Sequence, residues 1–395
     1  MLNINVYFLF WLVTTRSEKS MDILSKSKRI LYLDGIKGVA SLFIFFHHFM
    51  ILFFPASYHG DEKPSLLNGF DTLLSSSPLG IIVNGNFFMH LFVFISGYVI
   101  TSHVINMKME KFGFFHLKRY LKLFFALAVY TLIFFIFNLA NNIYGNDFKQ
   151  ILKSVYNLFC SLFIGILFRG ETYSGTNLWM LNYIFVGGIF VSIVAALCWI
   201  FDGRKVFFIP LVIGFILFLQ PSFENINWAT VFWGCALCLY NKYYHVNFNK
   251  FCLILLIVSL LLGAFPSGVI PKNFYRYMLL PYKESYSCFY WHSVASVLFI
   301  LSVTNSNFLQ NLFSKKIFLK LAKISLWIYL LQIFSLILAE YIYNSINCES
   351  HTTKALCAFV VSFVELIGTS VIFEVFVSNL GTKFINLIVC FLEKK

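Results

Sequence analysis

The chain has 395 residues, of which 59% are hydrophobic and 12% charged, with a formal net charge of +13. So few polar side chains cannot cover a water-soluble domain of this size, which excludes a soluble enzyme and leaves a membrane protein. The positive charge does not mark a nucleic-acid binder, because Lys and Arg fall in short clusters between apolar runs, the pattern of loops on the cytoplasmic side of a membrane.

Residues 1–29 hold a short apolar run ending VYFLFWLVTT, followed by Arg16, Lys19, Lys26, Lys28 and Arg29. A cleaved signal carries its charge before the run and small residues after it, and this order is reversed; a signal anchor, an interfacial segment and an upstream start-codon extension all stay open. From residue 30 to 395 a single membrane domain is expected. Its first span is predicted at 35–54, followed by the polar exterior loop PASYHGDEKPSLLNGFDTLLSSSP. A second span at 81–104 leads to the basic stretch KMEKFGFFHLKRYLK and a third span at 121–139.

Residues 151–168 are apolar enough to cross but contain Lys153. They are predicted to be re-entrant or interfacial on the outer side. Further spans are expected at 178–200, 206–220, 229–241, 251–266, 286–303, 324–343 and 355–377. The predicted fold class is therefore all-α, a polytopic transmembrane helix bundle of about ten spans. With both termini cytoplasmic, this count puts 22 of the 30 Lys and Arg on the inner side. If 151–168 crossed as well, that bias would vanish. The nine cysteines lie mostly in apolar segments and read as small buried hydrophobes. Cys235 and Cys238 form a CxxC with no second Cys or His cluster beside it, so no metal site is expected.

The stretch LDGIKGVASLFIFFHH, from Leu33 to His48, places ionisable groups within the first span. Such groups in a lipid-spanning helix are costly unless they line a cavity or find partners. Lys37 and His48 are eleven residues apart, which puts them on one helix face about 16 Å apart along the axis. Lys37 belongs near the cytoplasmic mouth, and His48 near or beyond mid-membrane. A neutral imidazole there is suited to general-base or proton-relay chemistry; a histidine that only bonds a neighbouring helix is the plainer alternative. His47 points to a different face, so one of the pair can be structural. His90, His292, Glu340, Glu365 and Glu374 are further ionisable groups in or near spans, with partners that spacing does not reveal.

LDGIKGVASLFIFFHH, then FFMHLFVFISGYVI, then FHLKRYLKLF resemble, in order, the opening motifs of the acyltransferase 3 family of multi-pass membrane acyltransferases. Later stretches are similar more loosely: NLWML to the family's LWSL motif, and KISLWIYLLQ to its SYxLYLxH motif. The resemblance implies transfer of an acyl group, acetyl first, from cytoplasmic acyl-CoA to a hydroxyl of a glycan or lipid-linked acceptor at the outer face. It implies His48 as the catalytic histidine, and Lys37, Arg119 and Lys122 at the family's donor-binding cations. No tightly bound cofactor is implied; acyl-CoA is a co-substrate, and membrane lipids surround the protein in a plasma or inner membrane. Arg119 and Lys122, with Lys118 beside them, can share one helix face and suit a multiply charged phosphate. The alternative is an ordinary basic loop held to anionic headgroups. Ser96-Gly97-Tyr98 is read as a helix-packing site.

The sequence departs from the family pattern in four places. Lys37 and Lys122 stand where the family has Arg, which keeps charge and loses the planar fork. Ile184 stands where many members have Glu, and Gln332 where the late motif ends in His. A divergent enzyme with an unusual acceptor is the favoured reading. A lipid or glycan transporter, and a relative that kept the fold without the chemistry, are the competing ones.

Overall fold

The computed structural model describes residues 29–141, 148–171, 178–220, 222–244, 248–268, 273–280 and 284–393. The expectations for residues 1–28 fall outside the described residues. Long apolar runs in lipid must satisfy every backbone N–H and C=O internally, and each such run among the described residues has become a helix. The longer ones are α1 (Leu31–Phe53), α2 (Gly85–Val104), α3 (Phe112–Ala140), α4 (Phe148–Cys160), α5 (Met180–Ala196), α6 (Phe208–Phe218), α7 (Phe223–Tyr243), α8 (Cys252–Gly263), α9 (Ser287–Thr304), α10 (Lys316–Ser345), α11 (His351–Phe373) and α12 (Asn379–Glu393). No strand occurs among the described residues. The protein is an all-α polytopic bundle, with eight helical stretches long and apolar enough to cross a bilayer. Two of the expected spans, 206–220 and 251–266, form helices of 11 and 12 residues. Leu253, Ile254 and Ile257 on α8 are exposed, as suits a surface that faces lipid.

The bundle is organised around α2, the most enclosed of the long apolar helices, which packs against α1, α5, α7 and α9. Close approach depends on glycine. A Cβ on Gly97 would run into the Val231 carbonyl of α7, and one on Gly234 of α7 would run into the Phe94 carbonyl of α2. The packing role expected for Ser96-Gly97-Tyr98 is what the structure shows. In the same way, Gly38 of α1 lies against the backbone of Leu321 and Ala322 on α10, and Gly35 against the backbone of Phe313 in the short helix Asn307–Phe313 before it.

Residues 148–169 are helical throughout, as α4 running into a π-helical stretch, Ser161–Arg169. The combined segment Lys149–Arg169 is one of the eight long enough to cross. Its far end does not reach the far end of the bundle. Phe163 packs beside Phe124, and Phe168 beside Tyr120 and edge-on to Phe185. The Asn182 amide donates to the Leu167 carbonyl at 3.0 Å, so the segment stops beside the first turn of α5.

The loop between α1 and α2 is folded over this end of the bundle. Asp71 is fully buried and accepts hydrogen bonds from the Ser65 hydroxyl and from the Leu66 and Thr72 N–H groups. Burial alone would raise its pKa, but these donors outweigh it and hold the carboxyl below its usual range. His351, at the start of α11, bonds the Phe53 carbonyl at 2.8 Å, so α1 ends where α2 and α11 begin.

Candidate active site

The last turns of α1 carry Ile44, His47 and His48 into a cavity of about 150 Å³. Gly85, Asn86 and Met89 from α2 form a second wall, and Trp179, Met180 and Tyr329 close the remainder. Four stretches far apart in sequence meet there. His48 belongs to LDGIKGVASLFIFFHH, Met89 to FFMHLFVFISGYVI, Trp179 and Met180 to NLWML, and Tyr329 to KISLWIYLLQ.

The two histidines are held differently. His47 is buried, with Nδ1 2.6 Å from the Val83 carbonyl oxygen, and its ring lies edge-on to Tyr58 at 5.6 Å. His48 is half-buried, its ring centroid is 5.2 Å from that of His47, and neither of its nitrogens makes a hydrogen bond among the described residues. The turn that carries Val83 is itself anchored. The Asn84 amide donates to the carbonyls of Gly263 and Phe265 at 2.9 and 2.8 Å and accepts from the Ser267 hydroxyl at 2.6 Å. His292 Nε2 lies 2.9 Å from the same Phe265 oxygen.

The cations expected to receive the donor occupy three distinct settings. Lys37 Nζ pairs with Asp34 Oδ1 at 2.9 Å, while Arg29 holds the other oxygen at 2.5 Å. An ammonium has three donors, so Lys37 keeps capacity for a second acceptor. Arg119 does not lie at the mouth of the bundle. Its guanidinium turns inward to the carbonyls of Ile184 and Phe185 and over the Phe185 ring, 5.9 Å from its centroid. Ile184 is four residues beyond Met180 on α5, so the charge sits about 6 Å along the axis from the cavity wall. Lys122 is exposed and lies in electrostatic reach of Glu374, as does Lys323. Arg119 and Lys122 therefore share a helix but not a single phosphate-sized surface cluster.

Sequence reasoning placed His48 in the bundle and missed its company. Trp179, Met180 and Tyr329 were within reach, since both loosely matched motifs contain them, but no periodicity says that they face α1. His116, one turn before Arg119, was passed over as well; its Nε2 lies 2.8 Å from the Ser192 hydroxyl.

The family model described as an acyltransferase domain, acyltransferase 3, matches residues 30–375. No curated protein and no solved structure matches the chain.

Proposed function

The chain belongs to the acyltransferase 3 family, and on that premise we propose that it transfers an acetyl group from cytoplasmic acetyl-CoA to a hydroxyl of a glycan or lipid-linked acceptor. The observation that supports this reading most is the convergence of four separate motifs on one histidine-lined cavity. In the proposed reaction the acceptor oxygen attacks the thioester carbonyl carbon while an imidazole takes the hydroxyl proton. The C–S bond then breaks, and the CoA thiolate leaves with that proton, so the overall transfer is proton-neutral. His48 is the catalytic histidine of this reading.

The cavity's size favours a short acyl chain. About 150 Å³ is the space that accommodates a molecule as small as benzene, enough for an acetyl and a hydroxymethyl group and too little for a long chain. Lys37 and Arg119, on the side of the cavity toward the basic loops, are proposed to meet the phosphates and the arm of the donor. The same reading puts both termini in the cytoplasm of a cell with the protein in its plasma or inner membrane.

The test is to incubate membranes with labelled acetyl-CoA and follow the label. The expected result is label in a hydroxyl-bearing glycan or lipid fraction from native protein, and none above background from His48→Ala at equal protein level. Undiminished labelling by His48→Ala would count decisively against the assignment.

A further inference from the structure

The acyltransferase reading gives a role to one of two imidazoles that line the cavity. His47 is the better oriented of the two. A carbonyl oxygen only accepts, so the 2.6 Å contact with Val83 requires a hydrogen on His47 Nδ1. In the neutral ring this leaves the lone pair at Nε2, a nitrogen with no hydrogen-bond partner among the described residues. The ring is also fixed sterically. Tyr58 stands against it edge-on, and Gly85 gives it room on another side: a Cβ there would lie 2.5–2.8 Å from His47 atoms. Val83 cannot easily yield, since the neighbouring Asn84 ties that turn to the end of α8.

A carbonyl on one imidazole nitrogen and a free lone pair on the other is the arrangement that orients a general base. His48 has the opposite character: a ring 5.2 Å away with no anchor on either nitrogen among the described residues. An unanchored imidazole can take a proton at one nitrogen and release one from the other.

We propose that His47 is a second catalytic histidine, the fixed base that takes the acceptor's hydroxyl proton at Nε2, with His48 carrying that proton on toward the leaving sulfur. The inference rests on the acyltransferase reading. As the acceptor O–C bond forms, the hydroxyl proton moves to His47 Nε2. As the C–S bond breaks, His47 gives this proton to one nitrogen of His48, and the hydrogen on the other nitrogen of His48 goes to the thiolate. His47 returns to its starting tautomer and His48 ends in the alternative one, with no net gain or loss of protons.

An amide at this position separates this role from a structural one. In His47→Asn the side-chain amide occupies the place of Nδ1 and can still donate to Val83, but no base remains at Nε2. The expected result is a folded protein that is stabilised against heating by acetyl-CoA as the native protein is, with kcat for acetyl transfer reduced at least about a hundredfold and KM little changed. Transfer by His47→Asn within about threefold of native would overturn the proposal and leave His47 as a structural residue. Should His47→Asn fail to fold, His47→Gly with added imidazole decides: restored turnover supports the proposal, and none overturns it. Native protein that binds acetyl-CoA yet transfers nothing to any acceptor or to water would instead remove the acyltransferase reading, and this inference with it.

Discussion

Arg119 carries a full charge into the bundle, and the chain meets it with backbone oxygens. The carbonyls of Ile184 and Phe185 accept its N–H groups, and no carboxylate pairs with it among the described residues. Peptide dipoles compensate a buried cation only in part, so the guanidinium keeps a strong attraction for an incoming anion. The contact does not depend on the side chain at position 184, because Ile184 meets the guanidinium through its backbone oxygen. Gly188 makes the arrangement possible, because a Cβ there would collide with the two terminal guanidinium nitrogens. Gly188→Ala should therefore push Arg119 off the two carbonyls. Since the displaced atoms are the end of a flexible side chain, the Tm should hardly move. KM for acetyl-CoA should rise about tenfold, the worth of one charged hydrogen bond; steady-state kinetics beside a thermal melt checks both. That Arg119 is a candidate donor-binding cation is an expectation from its place in FHLKRYLKLF. Its depth was not legible there, because depth depends on how far α3, a 29-residue helix, slides past α5.

Helices α2 and α7 touch through a reciprocal pair of glycines, each facing a carbonyl of the other helix. A backbone oxygen cannot swing aside as a side chain can, so a methyl group at either glycine forces the helices apart. Gly234→Ala should cost about 1–3 kcal/mol, the range for overpacking a tight site. Gly368 on α11 is the control: nothing lies within 4 Å of its would-be Cβ. Gly368→Ala should be neutral or stabilise by up to about 1 kcal/mol through helix propensity alone. Thermal denaturation of both variants in the same detergent measures the difference; equal melting temperatures would mean that the α2–α7 contact is looser than its glycines imply. The sequence shows the apolar runs that become α2 and α7, because lipid leaves the backbone no alternative to helix. It does not show that they are partners, since Gly97 and Gly234 are far apart along the chain and glycine carries no side chain to announce what it faces. The same limit hid Tyr329 and Trp179 from the site.

At the scale of the whole molecule, two independent asymmetries agree. Chain connectivity brings the end of α1 and the starts of α2 and α11 to one end, together with His47, His48 and the cavity. Charge distribution predicts that the opposite end is the cytoplasmic one, since Arg29 and Lys37 near the start of α1 and the basic residues at the starts of α3 and α10 lie there. Two cysteines make this orientation measurable without altering the protein. Cys348 is half-exposed between α10 and α11, at the cavity end, and Cys390 is exposed on α12, beyond the other end of α11. A membrane-impermeant maleimide added to intact cells should modify Cys348 and spare Cys390, and permeabilised cells should show both, as read by mass spectrometry of the labelled peptides. The reverse pattern would place the histidine cavity toward the cytoplasm. Donor and acceptor would then enter from exchanged sides, and Lys37 and Arg119 would face away from the acyl-CoA they are proposed to meet.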